Sequence, residues 1–189
     1  MRKLSFLAAV LAFCFGSWAI GTKLLAQSGS NNSVAPLVTI VDNCLASDPG
    51  WAPTGGCLNK PHQGDVSFAE FNALLFSPLS VTTVGHPAWR NDPSYISIRA
   101  GQNVNVSNKG GRGHTFTEVI EYGGGFIPPL NGTGIPGKTA LIPAATCLPA
   151  PASGIIAPGD SIVVAGLSPG LHRFQCCIHP WMHAAIRVD

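Results

Sequence analysis

Near its C-terminus the chain strings a thiolate, an imidazole and a thioether together as Cys176-x-x-His179-x-x-Met182. That soft set suits a trigonal Cys/His copper site with a long, weak thioether bond on its axis. Met182 is the only methionine once Met1 is set aside, which argues against a gap-filling role. An isolated Cys-x-x-His is more often a disulfide cysteine beside a surface histidine. The methionine at this offset, in the sequence His179-Pro180-Trp181-Met182, turns the reading toward a metal. Zinc fits less well, because thioether is a poor zinc ligand and no second Cys or His pair completes a tetrahedral set.

The other cysteines bear on which sulfur is free. Arg2 and Lys3 precede an apolar run, residues 4–15, and small residues follow, the pattern of a secretory signal. Cleavage is expected after Ala19 or Ala26, making 1–26 the signal peptide and the protein exported, periplasmic or extracellular. The run is too short for a comfortable membrane span, and Phe13 is too bulky for lipoprotein processing at Cys14. With the signal gone, Cys44, Cys57, Cys147, Cys176 and Cys177 remain. An odd number in an exported chain leaves one thiol unpaired. Two disulfides and one copper thiolate account for all of them.

The formal charge of +2 includes Arg2 and Lys3, so the mature chain is close to neutral. It holds no Lys/Arg cluster, which speaks against nucleic acid and against an electrostatic membrane surface. Roughly 165 mature residues suit one domain with a full core. The expectation is a monomer.

The elements that must position the loop read as short strands at 37–41, 95–99, 104–107, 115–121, 161–165, 171–176 and 184–188, by alternation and β-branched content. Residues 66–75 have helical spacing, with Asp65 as a candidate N-cap. The 22 Gly and 16 Pro imply long loops at 43–64 and 123–159. Without any βαβ alternation, the expected fold is all-β, a Greek-key β-sandwich with one short helical segment. No internal repeat is visible. Strand parity places Phe174 and Cys176 on one face and Gln175 and Cys177 on the other. With Phe174 facing the core, Cys176 faces the metal and Cys177 is free for a disulfide. Cys44 and Cys57 bracket one loop, so Cys44–Cys57 and Cys147–Cys177 is the favoured pairing. Four cysteines allow three pairings, and the others stay open.

The string FQCCIHPWM (174–182) resembles the copper loop of the cupredoxins, the type 1 blue copper proteins, most closely the amicyanin-like and plastocyanin-like members. AGQNVNVSNKGGRGHTFTEV (100–119) is similar to the family stretch carrying the first histidine ligand, and PGDSIVVAGLSPGLHRFQC (158–176) to the strands leading into the loop. The resemblance covers about 92–189; residues 27–91 and the 123–159 insert lie outside it. It implies a sandwich holding one copper at one end, with ligands His114, Cys176, His179 and axial Met182. It also implies a loop histidine reaching the surface through an apolar rim, here with Pro180 and Trp181 as docking residues for redox partner proteins.

His62 and His86 read as solvated loop histidines, His172 as part of the sandwich interior or its edge, and His183 as a surface neighbour of the axial ligand. Residues 59–70 imitate a calcium loop, but Asn59, Pro61 and Gln63 supply too little charge. Asn31, Asn105 and Asn131 begin Asn-x-Ser/Thr triplets, which matter only in a glycosylating pathway. No His-x-His pair or second domain supports catalysis, and Pro180 stands where a binuclear copper centre would want a second cysteine. The expected function is that of an exported one-electron carrier, not an enzyme. The alternatives are a copper-handling or delivery module and a disulfide-stapled interaction domain.

Overall fold

The structure, a computed structural model, describes residues 34–58, 64–76, 86–134, 139–149 and 154–189. The expected signal peptide with its cleavage sites, Cys14, Asn31 and His62 lie outside the described residues.

Eight strands are present among the described residues: β1 (Leu37–Val41), β2 (Arg90–Asp92), β3 (Tyr95–Ile98), β4 (Val104–Asn108), β5 (Thr117–Val119), β6 (Ser161–Val164), β7 (Gly170–Gln175) and β8 (His183–Val188). They form two four-stranded sheets, ordered β2-β1-β4-β6 and β3-β8-β7-β5. Each sheet holds one parallel pair, β1 with β4 and β3 with β8, and is otherwise antiparallel. The chain changes sheet at every connection from β2 to β7. The result is an all-β sandwich. Although 27–91 lies outside the resemblance, its strand β1 sits between β2 and β4 in the first sheet.

Period-two burial builds the core, as expected for sheets facing one another. Val38 and Ile40 of β1, Val104 and Val106 of β4, and Ala184, Ile186 and Val188 of β8 are all buried, and Phe174 of β7 stacks on Phe116 at 4.6 Å. The parity of β7 separates the adjacent cysteines. Cys176 joins the main core with Phe174, while Cys177 joins a smaller cluster with Val119 and Cys147.

One helix, α1 (Phe68–Phe76), begins later than the sequence pattern indicates. Ser67 Oγ accepts the Glu70 N–H at 3.1 Å, so the hydroxyl one turn upstream caps it rather than Asp65. A 3-10 turn at Pro49–Thr54 carries buried Trp51. Trp51, Phe71 of α1 and Trp89 form an aromatic cluster with ring separations of 4.9–5.6 Å. His86 belongs to this cluster, which corrects the solvated assignment. It is buried against Phe71 and Trp89, and its Nδ1 accepts the Ala88 N–H at 3.1 Å. The aromatic neighbours cover the ring, leaving hydrogen bonding at its edge. His183 is also more enclosed than a surface residue, stacked on Tyr122 at 3.9 Å.

Candidate metal centre

At one end of the sandwich His114, Cys176 and His179 converge, all buried, with one ligand atom from each lying within 4.8 Å of the others. Cys176 Sγ is 3.7 Å from His114 Nδ1 and 3.8 Å from His179 Nδ1. Cys176 and His179 come from the loop between β7 and β8. His114 comes from the β4–β5 connection, held in place by a two-bond bridge to Ile156. The loop is closed on itself: the Cys176 N–H donates to the Met182 carbonyl, and the Met182 N–H to the His179 carbonyl. Met182 is fully buried, and its carbonyl also accepts from Asn91 Nδ2 at 3.2 Å.

The thiol is prepared for a metal. Burial alone would raise its pKa, but hydrogen bonds and charge from His114 and His179 hold it well below the usual value. The two imidazoles thus favour the thiolate, the form that ligates metal. The Thr115 and His179 N–H groups also point at the sulfur, at 3.4 and 3.5 Å. For His114, burial lowers the pKa, yet hydrogen bonds to Asp42 and Cys176 push it up to about 9. His179 shifts the other way, chiefly through burial. These donors fit copper: one thiolate, two imidazole Nδ1 atoms facing it, and a buried thioether supplied by the same loop.

Segments outside the expected strands surround this end. Asp42, just after β1, binds His114 Nε2 at 2.7 Å. The insert runs along the 174–182 loop: the Phe126 N–H donates to the Cys177 carbonyl at 2.9 Å. A Cβ at Gly125 would stand 1.9 Å from that same oxygen, so only glycine permits this approach. The insert is further fixed by Gln175, whose side chain bonds Gly123 and Gly124, and by Asn131, which pairs with Gly125 in both directions. Disulfides join Cys44 to Cys57 and Cys147 to Cys177, leaving Cys176 as the free cysteine among the described residues.

The docking expectation needs correcting. Pro180 is fully buried and Trp181 half-buried, with its ring 6.1 Å from Phe71 and 5.5 Å from His179. His179 itself is 4% exposed. The surface above His179 is made instead by Ile178, Ile127, Thr54 and Arg112, which line both clefts that reach it.

No family model matches the chain, and no curated protein matches it. Among solved structures it is similar to a purple cupredoxin from Nitrosopumilus maritimus, at 14% identity over 82% of this chain and 99% of that one, TM-score 0.41. It is also similar to amicyanin from Paracoccus versutus, at 16% identity over 53% and 73%, TM-score 0.34. An oxidised amicyanin variant aligns at 9% identity over 85% and 88%, TM-score 0.38. What the site can do rests on its own donor set.

Asp42 is the residue that sequence reasoning missed. Its one signal is an acid placed directly after a strand that is buried on alternate residues; in such a place a carboxylate needs a partner.

Proposed function

We propose that the protein is an exported type 1 copper protein that carries single electrons between redox partner proteins. The observation that carries this is the convergence of Cys176 Sγ on His114 Nδ1 and His179 Nδ1 in a buried loop that also ends in Met182. Copper held by these four side chains would supply a one-electron couple. The chain's part is to hold them in one arrangement for both oxidation states, so that little rearranges when an electron passes. Strand β7, the internal hydrogen bonds of the loop and the bridge at His114 do this before any metal arrives.

Enclosure favours electron transfer over metal delivery. A delivery module needs its ligands exchanged with a partner's, and here Cys176 and His114 are wholly buried. An electron needs only proximity, and the clefts beside His179 give a partner that. The apolar groups over His179 suit brief, weak docking. Two disulfides accord with an oxidising compartment, and no described helix is long and apolar enough to cross a membrane.

The test is the absorption and EPR spectrum of the Cu(II)-loaded protein. Intense thiolate-to-copper charge transfer in the visible and narrow copper hyperfine splitting are expected. Cys176→Ser should abolish both, and Cys177→Ser should keep the band. A folded, copper-loaded protein without that band would refute the proposal.

A further inference from the structure

Asp42 is a carboxylate with no exposed side-chain surface, beside a histidine with none. Its Oδ2 lies 2.7 Å from His114 Nε2 and accepts the Arg112 N–H at 3.1 Å, while Oδ1 accepts the Gly111 N–H at 2.9 Å. The backbone presses close around it: a Cβ at Gly110 would stand 2.0 Å from Oδ2. Asn108 braces the same turn, its Oδ1 accepting the Gly110 N–H and its Nδ2 donating to the Arg112 and Ile156 carbonyls. The carboxylate is thus built in, and its contact with the ring leaves His114 Nδ1 as the nitrogen that faces Cys176.

We infer that Asp42 is a positioning residue for the copper site, fixing the Nε2–H form of His114 and biasing the metal toward Cu(II). This rests on the type 1 copper reading above. A carboxylate behind a ligating imidazole fixes the ring and strengthens its donor nitrogen. Its negative charge, in a fully buried site, acts on a metal whose charge differs by one between the two states. Reduction adds one electron from a reduced partner protein and oxidation returns it to an oxidised one. Neither breaks a bond in the protein.

Asp42→Asn removes the charge while its carbonyl can still accept from Nε2–H, although its NH2 then faces the Gly111 N–H and that one hydrogen bond is lost. In the copper-loaded variant the thiolate band should persist. The ratio of Cu(II) to Cu(I) affinity should fall about tenfold, read as a ~59 mV rise in reduction potential. An unchanged potential with the band present overturns the inference and leaves the copper reading standing. A wild-type protein lacking the band overturns both. A second measurement needs no variant: Cu(I)-loaded wild-type protein is diamagnetic, and ¹⁵N–¹H NMR should find a slowly exchanging proton on His114 Nε2. An unprotonated Nε2 overturns the inference, and this result decides if Asp42→Asn does not fold.

Discussion

Thr115 shows how much of the site depends on single polar atoms in a dry place. Fully buried, it accepts the Cys177 N–H on its hydroxyl at 2.8 Å and a hydrogen bond from Thr117 at 3.2 Å, while its own N–H points at the Cys176 sulfur. Thr115→Val keeps the shape and leaves the Cys177 N–H without its acceptor. The expected cost is about 1–3 kcal/mol, measured by denaturant unfolding, with a shifted charge-transfer band because Cys177 adjoins the thiolate. The candidate ligands in the loop could be read from sequence because three of them fall within seven consecutive residues. Asp42 could not, because 72 residues separate it from His114 and nothing local pairs them. Assigning the thiolate to Cys176 needed only strand parity, which survives any error in loop placement.

Among the elements, strands with alternating apolar residues were legible and short polar ones were not. β2 reads Arg-Asn-Asp, and only its middle residue is buried; it exists because β1 offers it an edge. Helix α1 was visible from its spacing, but its purpose was not, since that lies in Phe71. This side chain joins Trp51 and Trp89 and reaches toward Trp181. Phe71→Ala should cost about 3–5 kcal/mol, seen as a lower Tm in the metal-free and loaded protein alike. At the sandwich edge β5 and β7 are joined by a titrating pair. His172 Nδ1 is 2.6 Å from Glu118 Oε1, and its Nε2 is 2.8 Å from the Ser168 carbonyl. Both partners are acceptors, so the imidazolium satisfies the site, and the hydrogen bond to Glu118 is the main cause of a raised pKa. A raised folded pKa gives stability that is fully present below the unfolded value of about 6.5 and is lost as pH rises through the folded value. NMR titration should place His172 above 6.5 in the native protein, and Glu118→Gln should bring it down and flatten that part of the pH–stability curve.

Taken as a whole molecule, the copper end is a meeting point for segments far apart in sequence. The loop closed by Cys44–Cys57 touches the His114 side, where the Leu58 N–H donates to the Gly111 carbonyl. The insert reaches this end through Cys147–Cys177 and Phe126, and at its far end through the Ile156 bridge to His114. Gly/Pro-rich loops carry no periodicity to say what they pack on; only the favoured Cys147–Cys177 pairing, which sets the insert beside the 174–182 loop, made one of the two placements legible. Ile127 and Ile178, and not Pro180 or Trp181, line the clefts beside His179. A partner docking on the patch they form meets few charges, so exchange should depend weakly on salt. Arg112, the cation that borders it, is turned inward toward the Gly56 and Thr54 carbonyls and lies over the Trp51 ring at 5.0 Å. Ile127→Lys changes this surface without touching a ligand, and in self-exchange the added charge appears on both copies at once. The self-exchange rate of the copper-loaded variant should fall about tenfold at low salt, a cost of about 1.4 kcal/mol, and recover in part as salt screens the repulsion, with the reduction potential unchanged. An unchanged rate at every salt concentration would place the electron's exit on another face and leave the insert a purely structural cover.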